Sequence, residues 1–260
     1  MPTIKNNENT ILFTIGRMNP PTSGHMLLIR TMIETALQKN LSQINIILSS
    51  TVDNKKNPLS CDEKRFFLLN FMIHHLKEIM KIEQPMASAS IENLQVNIIC
   101  MSDVVNPKYG NHPILKSIQY ILIDLYGYPI ENLEMILFIG EDRIKDYDWI
   151  QKSLLSKNPR ISISIHGIER PEGAMSATYI RQLALEGNYE AFRVEMEKTG
   201  LDSDATMKMY NEIRVKIVVP SSSLKRKRKG GATRRRGIIK NSNRKRMSHK
   251  KNRKSYKKVF

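Results

Sequence analysis

The chain has 260 residues, with 42 Lys and Arg against 25 Asp and Glu and a formal net charge of +17. That excess belongs to one end: residues 221–260 hold 18 Lys and Arg and no acid, while the first 220 residues hold 24 basic and 25 acidic side chains. The balance excludes a uniformly basic nucleic-acid-binding body; it predicts a polar segment at 1–10, one globular domain at 11–220, and a disordered Lys/Arg-rich tail at 221–260 too charged to bury a core.

Cys61 and Cys100 form neither a CxxC nor a zinc-ligand spacing, and no disulfide is expected of them. Residues 1–10 lack the apolar centre of a signal peptide, and no apolar run approaches membrane-spanning length. The expected setting is the cytoplasm, with no membrane partner; the basic tail also fits a nuclear address.

Strand and helix signals alternate along the body. Ile11–Ile15 reads as a buried strand that breaks at Gly16, passes through Asn19-Pro20-Pro21, and re-enters as a helix with Met26, Leu27, Ile29, Met32, Ile33 and Leu37 on its apolar face. Thr22 is the expected N-cap, which puts His25 one turn away on the same face. A second strand is expected at Ile44–Ser49. A helix opening at Ser60-Cys-Asp-Glu63 follows, in a capping-box pattern. Pro85–Asn93 reads as linker. Further strands are expected at Val96–Cys100, Met135–Ile139 and Ile161–Ile165, with a helix over Pro113–Tyr126 and two or three more between Ser176 and Val218. The pattern implies right-handed βαβ units and a doubly wound parallel sheet of about five strands. In such sheets ligands sit beyond the carboxyl ends of the strands.

Four loops with unusual residues fall at those ends. The first strand delivers Gly16-Arg17-Met18 through Gly24 and His25. The second delivers a polar loop containing Lys56, and the fourth delivers Gly140-Glu-Asp142. The fifth delivers Arg170 and then Ser176-Ala-Thr178-Tyr-Ile-Arg181. A helix start offers unpaired N–H groups and partial positive charge, and Gly24 lets an anion approach the backbone closely.

Gly16-Arg-Met-Asn-Pro-Pro-Thr-Ser-Gly-His25 resembles the first signature of the nucleotidylyltransferase superfamily, a His- or Thr-x-Gly-His motif after the first strand. Ser176-Ala-Thr-Tyr-Ile-Arg181 is similar to its second signature, and Gly140-x-Asp142 to the nucleotide contact after its fourth strand. The resemblance spans about residues 11–190. Its departures are Thr22, where many members have a first histidine, and Ala177, where many have a second serine. It implies a Rossmann-like, HUP-type fold and attack of an acceptor phosphate on the α-phosphorus of a nucleoside triphosphate, with release of pyrophosphate. It further implies that Thr22 and His25 hold the reacting phosphates, that Thr178 and Arg181 hold the β- or γ-phosphate, and that Gly16, Arg17, Met18, Gly24, Gly140, Asp142 and Ser176 line the nucleotide.

No dedicated carboxylate cage is visible, so the accompanying Mg2+ is expected to be bound mainly through the triphosphate, with no protein metal ligand. The acceptor side is assigned to Lys56, Trp149 and Arg170. Trp149 either stacks on an aromatic acceptor, as Tyr147 could, or packs on the core. The spacing from Gly140 to Trp149, with Arg170, resembles enzymes that adenylylate nicotinamide mononucleotide to give NAD, which makes ATP the favoured donor. The alternatives are a cytidylyltransferase, an adenylyltransferase with another phosphorylated acceptor, or a non-catalytic nucleotide-binding scaffold in a nucleic-acid-associated protein. An aminoacyl-tRNA synthetase relative is disfavoured by the missing Lys-Met-Ser-Lys-Ser sequence. The tail is expected to contact nucleic acid non-specifically, to serve as a nuclear address, or only to solubilise the chain.

Overall fold

A computed structural model describes residues 9–127, 132–156, 160–170 and 173–218. Most of the polar segment and the whole tail, 221–260, lie outside the described residues. Among the described residues five strands form one sheet: β1 (Thr10–Gly16), β2 (Gln43–Leu48), β3 (Gln95–Cys100), β4 (Leu133–Gly140) and β5 (Ile161–Ile168). Their order is β3-β2-β1-β4-β5 and every neighbouring pair is parallel. The fold is therefore Rossmann-like α/β. Progression runs outward from β1 to β2 and β3, then crosses back to β4 on the other side of β1. The reversal opens a crevice between the carboxyl ends of β1 and β4.

Both faces of the sheet are covered, which is why its central strands read as nearly continuous apolar runs. Ile11, Phe13 and Ile15 of β1 and Met135, Leu137 and Ile139 of β4 face one layer, made by α5 (Pro113–Tyr120) and α6 (Ile144–Leu155). Leu12, Ile136 and Phe138 face the other. That second layer contains α1 (Ser23–Gln38), α2 (Cys61–Phe67), which runs through a π-type turn at Leu68–Met72 into α3 (Ile73–Glu83), and α4 (Ser88–Asn93). Three C-terminal helices, α7 (Ala177–Glu186), α8 (Tyr189–Glu197) and α9 (Ser203–Val218), pack on the same side through Ile180, Phe192 and Met209.

Two stretches differ from expectation. Pro85–Asn93 is not a linker: a 3-10 turn at Pro85–Ala87 leads into α4, held by the fully buried Ile91. The other is α6, whose buried residues Ile150 and Leu154 stand among charged neighbours, too few to impose a visible period.

The cysteine expectation is corrected outright. Cys61 and Cys100 form a disulfide, with Cα atoms 5.9 Å apart and a sequence separation of 39. Cys61 opens α2 and Cys100 ends β3, so only the folded sheet brings them together. Local spacing carries no trace of it, and the expectation of a cytoplasmic setting loses the support of unpaired cysteines. Among the described residues no helix is long and apolar enough to cross a membrane.

Closing a loop of that length is worth roughly 2–4 kcal/mol through the unfolded chain. Dithiothreitol is therefore expected to lower the free energy of urea unfolding by that amount and to steepen the slope, because the reduced unfolded chain is more open. Equal midpoints with and without reductant would show that the two sulfurs are not joined in solution.

Candidate functional site

The crevice at the sheet's reversal is a cleft of about 270 Å3 floored by Ile15, Ile139 and Ile168 at the ends of β1, β4 and β5. Gly16, Arg17, Met18, Thr22, Gly24, His25, Lys56, Gly140, Asp142, Arg170, Ser176, Thr178 and Arg181 all line it. Every residue singled out from sequence is there except Trp149.

The first wall is the turn from β1 into α1. Met18 adopts a left-handed φ of 42° although it is not glycine, and its side chain is buried. A Cβ on Gly16 would stand 3.3 Å from Met18 Cγ, so the glycine makes room for this fold-back. The Asn19–Pro20 peptide is cis. Thr22 is the N-cap of α1 and forms a capping box with His25 at N3. The Thr22 N–H donates to His25 Nδ1 at 3.0 Å, and the Thr22 hydroxyl lies 2.9 Å from the same nitrogen. A histidine thus takes the place that glutamate or glutamine holds in the usual box.

This geometry assigns the tautomer. Nδ1 accepts from a backbone N–H that cannot reverse its role, so the ring's hydrogen sits on Nε2 and Nε2 is a donor. Protonating Nδ1 would set two donors against each other. Burial and the nearby Arg170 guanidinium push the imidazole down to about 4, so the ring is neutral at physiological pH. The structure thereby modifies the expectation for Thr22. Its hydroxyl is turned to the ring and the residue is only 3% exposed, which makes it the group that orients His25.

Arg181, on the first turn and a half of α7, makes the second wall. Ser176 caps that helix by accepting from Tyr179 N–H at 3.1 Å. Arg181 donates from Nη1 to Asn19 O at 2.5 Å and from Nη2 to Thr178 Oγ1 at 3.0 Å. Asn19 is itself fixed by a reciprocal pair with Leu59: its Nδ2 donates to Leu59 O at 2.7 Å and its Oδ1 accepts from Leu59 N–H at 3.0 Å. Burial first, and Arg17 second, pull Arg181 below its ordinary range.

Two supporting residues escaped the sequence reading. Lys64 of α2 is fully buried and donates to Arg17 O at 2.9 Å and Ser49 O at 2.6 Å, tying the loop after β1 to the end of β2. Burial pushes its ammonium down to about 8. The available signal was a lysine sharing a helix face with Cys61, Phe67 and Leu68, where an apolar residue is expected. Asp53 is the other: its Oδ1 accepts from Lys55 N–H at 2.8 Å, Lys56 N–H at 2.6 Å and Asn57 N–H at 3.2 Å. These bonds hold its carboxyl well below the usual range and bend the loop that carries Lys56. An Asp just ahead of a polar Lys-Lys-Asn run is an Asx-turn signal.

The far wall belongs to β4 and β5. A Cβ on Gly140 would meet Asp142 Oδ1 at 2.7 Å, so only glycine lets that carboxylate fold over the strand end. Arg170 Nε lies 3.9 Å from the Cβ position of Gly24, over the start of α1. Tyr147 and Glu169 also line the cleft. Trp149 does not. Its ring packs with the apolar layer of α5 and α6 and meets His112 edge to face, 4.7 Å between centroids. It lies two residues beyond Tyr147 on α6, and two helical residues are about 200° apart, so Tyr147 faces the cleft and Trp149 does not.

The tautomer and its titration are directly measurable. Long-range 1H–15N NMR is expected to show His25 as the Nε2–H form, titrating near 4 instead of 6.5. Because the folded-state value is depressed, His25's contribution to stability is complete above about pH 6.5 and is lost as pH falls toward 4. An Nδ1–H signal, or titration near 6.5, would overturn the assignment. Compared with protein-family models and with curated proteins, the sequence matches none.

Proposed function

We propose that the chain is a nucleotidylyltransferase that joins a nucleoside monophosphate, taken from its triphosphate, to a phosphorylated small molecule. The observation that carries this reading is the neutral His25, held as an Nε2 donor by Thr22. It stands in one cleft with the Arg181–Thr178 clamp.

The chemistry asks for little else. An acceptor phosphate monoester is largely dianionic at neutral pH, its second pKa being about 6, so no general base is needed. One of its oxygens attacks the α-phosphorus, the new P–O bond forms, and the α–β bridging bond breaks. Pyrophosphate leaves with the bonding electrons. Catalysis then consists of alignment and of stabilising charge on the phosphoryl oxygens. A neutral imidazole donor suits this task, because its hydrogen bond strengthens as negative charge grows and its Nε2–H does not ionise at neutral pH. Arg181, Arg17 and Lys56 are the cations for the leaving pyrophosphate, and Arg170, above Gly24, is the cation for the acceptor phosphate.

Among the described residues no group of three or more His, Cys, Asp or Glu is placed to hold a metal ion. A Mg2+ accompanying the triphosphate would take its ligands from phosphate and water, and would supply further charge neutralisation. ATP with nicotinamide mononucleotide is the first pair to test. With Trp149 turned to the core, Tyr147 is the aromatic side chain left on the cleft wall to meet such a ring. The polycationic sequence at 221–260 is proposed to contact nucleic acid.

Pyrophosphate release with Mg2+ and a panel of triphosphates and phosphorylated acceptors tests the reading; no release from any pair would sink it. In single turnover with the active pair, His25→Ala is expected to slow transfer by about 10²–10³-fold, with triphosphate affinity changed far less. Thr22→Val is expected to give a smaller loss, because the hydroxyl contact is gone while the backbone N–H of residue 22 still holds Nδ1 as an acceptor. A His25→Ala rate within a few-fold of wild type would remove the histidine from the chemistry.

A further inference from the structure

Beside the nucleotide cleft runs a second groove of about 370 Å3, which shares Arg17, Lys56, Thr178 and Arg181 with it and extends past Lys55, Leu185 and Ile217. Its lining contains four cations and no carboxylate. Asp53, the acid that Arg181 feels here, already accepts from three backbone N–H groups and from the Asn57 amide. Arg181 is also crowded by Arg17. Gathering like charges without acids costs free energy in the empty protein, and an anion running along the groove relieves it. The groove has an apolar side as well: Leu185 is 46% exposed on α7, and Ile217 of α9 lines the groove. A line of cations next to aliphatic surface suits a ligand that alternates phosphates with flat apolar groups.

We propose that this groove binds the backbone of single-stranded nucleic acid, and that a strand there competes with the triphosphate for Arg17, Lys56 and Arg181. Inorganic polyphosphate would leave Leu185 and Ile217 without a role, and a duplex hides its base faces. The groove's lining contains no aromatic ring for stacking, so binding is sequence-tolerant and strongly salt-dependent. The sequence at 221–260, with 18 cations and no acid, is an independent pointer to the same class of partner. Only the competition rests on the proposed nucleotide site.

The test uses the full chain and a fluorescein-labelled 12-nucleotide oligo(dT), read by anisotropy across a salt series. ATP at ten times its own Kd, determined by calorimetry, is expected to raise the oligonucleotide's apparent Kd about tenfold. Lys55→Gln is expected to reduce the salt slope by about 0.7, the contribution of one cation on a single strand. Leu185→Glu is expected to weaken the oligonucleotide further, and a matching duplex to show no ATP-sensitive binding. Oligonucleotide affinity indifferent to ATP and to both substitutions would assign binding to the tail alone and overturn the proposal. ATP-sensitive duplex binding would overturn the choice of a single strand. If calorimetry detects no ATP binding, the nucleotide reading and the competition fall together, while the Lys55 and Leu185 arms still decide whether the groove binds the strand.

Discussion

The site depends on holding one short loop, Arg17 to Asn19, against its own tendency to move. The loop carries a left-handed non-glycine residue at Met18, a conformation that costs on the order of 1 kcal/mol and persists only where the surroundings over-determine it. Here they do. Lys64 takes the Arg17 carbonyl, Arg181 takes the Asn19 carbonyl, and the Asn19 side chain is paired with the Leu59 backbone. The three come from the second helix, the seventh helix and the loop before the second. A segment that would be among the softest in the molecule therefore has a fixed shape, and α1 starts where that shape directs it.

Lys64 is the costly member of the set. An ammonium removed from water loses several kcal/mol of solvation, and among the described residues no carboxylate forms an ion pair with it. Two carbonyls compensate in part, which is why its proton is easier to remove than that of an exposed lysine. Its positive charge remains beside the Arg17 and Ser49 carbonyls. Arg17, Lys56, Arg170 and Arg181 add to it from the cleft walls, opposed by Asp142 and Glu169. The cleft lining thus carries more cations than carboxylates. A neutral histidine in such a field is the expected protonation state, because each neighbouring cation disfavours another.

Much of this was legible in the sequence, for a physical reason. Strands buried on both faces give uninterrupted apolar runs, helix starts need caps, and ligand loops in parallel sheets must follow the strands. Gly16 to His25, Gly140 to Asp142 and Ser176 to Arg181 each sit at such a punctuation point, and the structure brings them to one cleft. The parts that were not legible depend on contacts far apart in the chain. Cys61 meets Cys100 only because α2 starts beside the end of β3. Lys64 looks like a surface lysine unless its helical face is counted. Trp149 was placed by its distance from Gly140, yet a helix turns about 100° per residue, and two residues decided between cleft and core.

Thr22 shows how the local and distant constraints combine. A threonine hydroxyl at an N-cap has two possible occupations: a ligand anion, or the helix it starts. In this protein it serves the helix through its third residue, fixing the ring of His25 before any ligand arrives. The ring then needs no rearrangement to donate from Nε2, so the ordering cost of that donor is met on folding. A histidine at position 22 would bring a second ring and a second proton to a loop already surrounded by cations. Threonine adds no second ring, while the backbone N–H of the same residue fixes which nitrogen of His25 carries hydrogen.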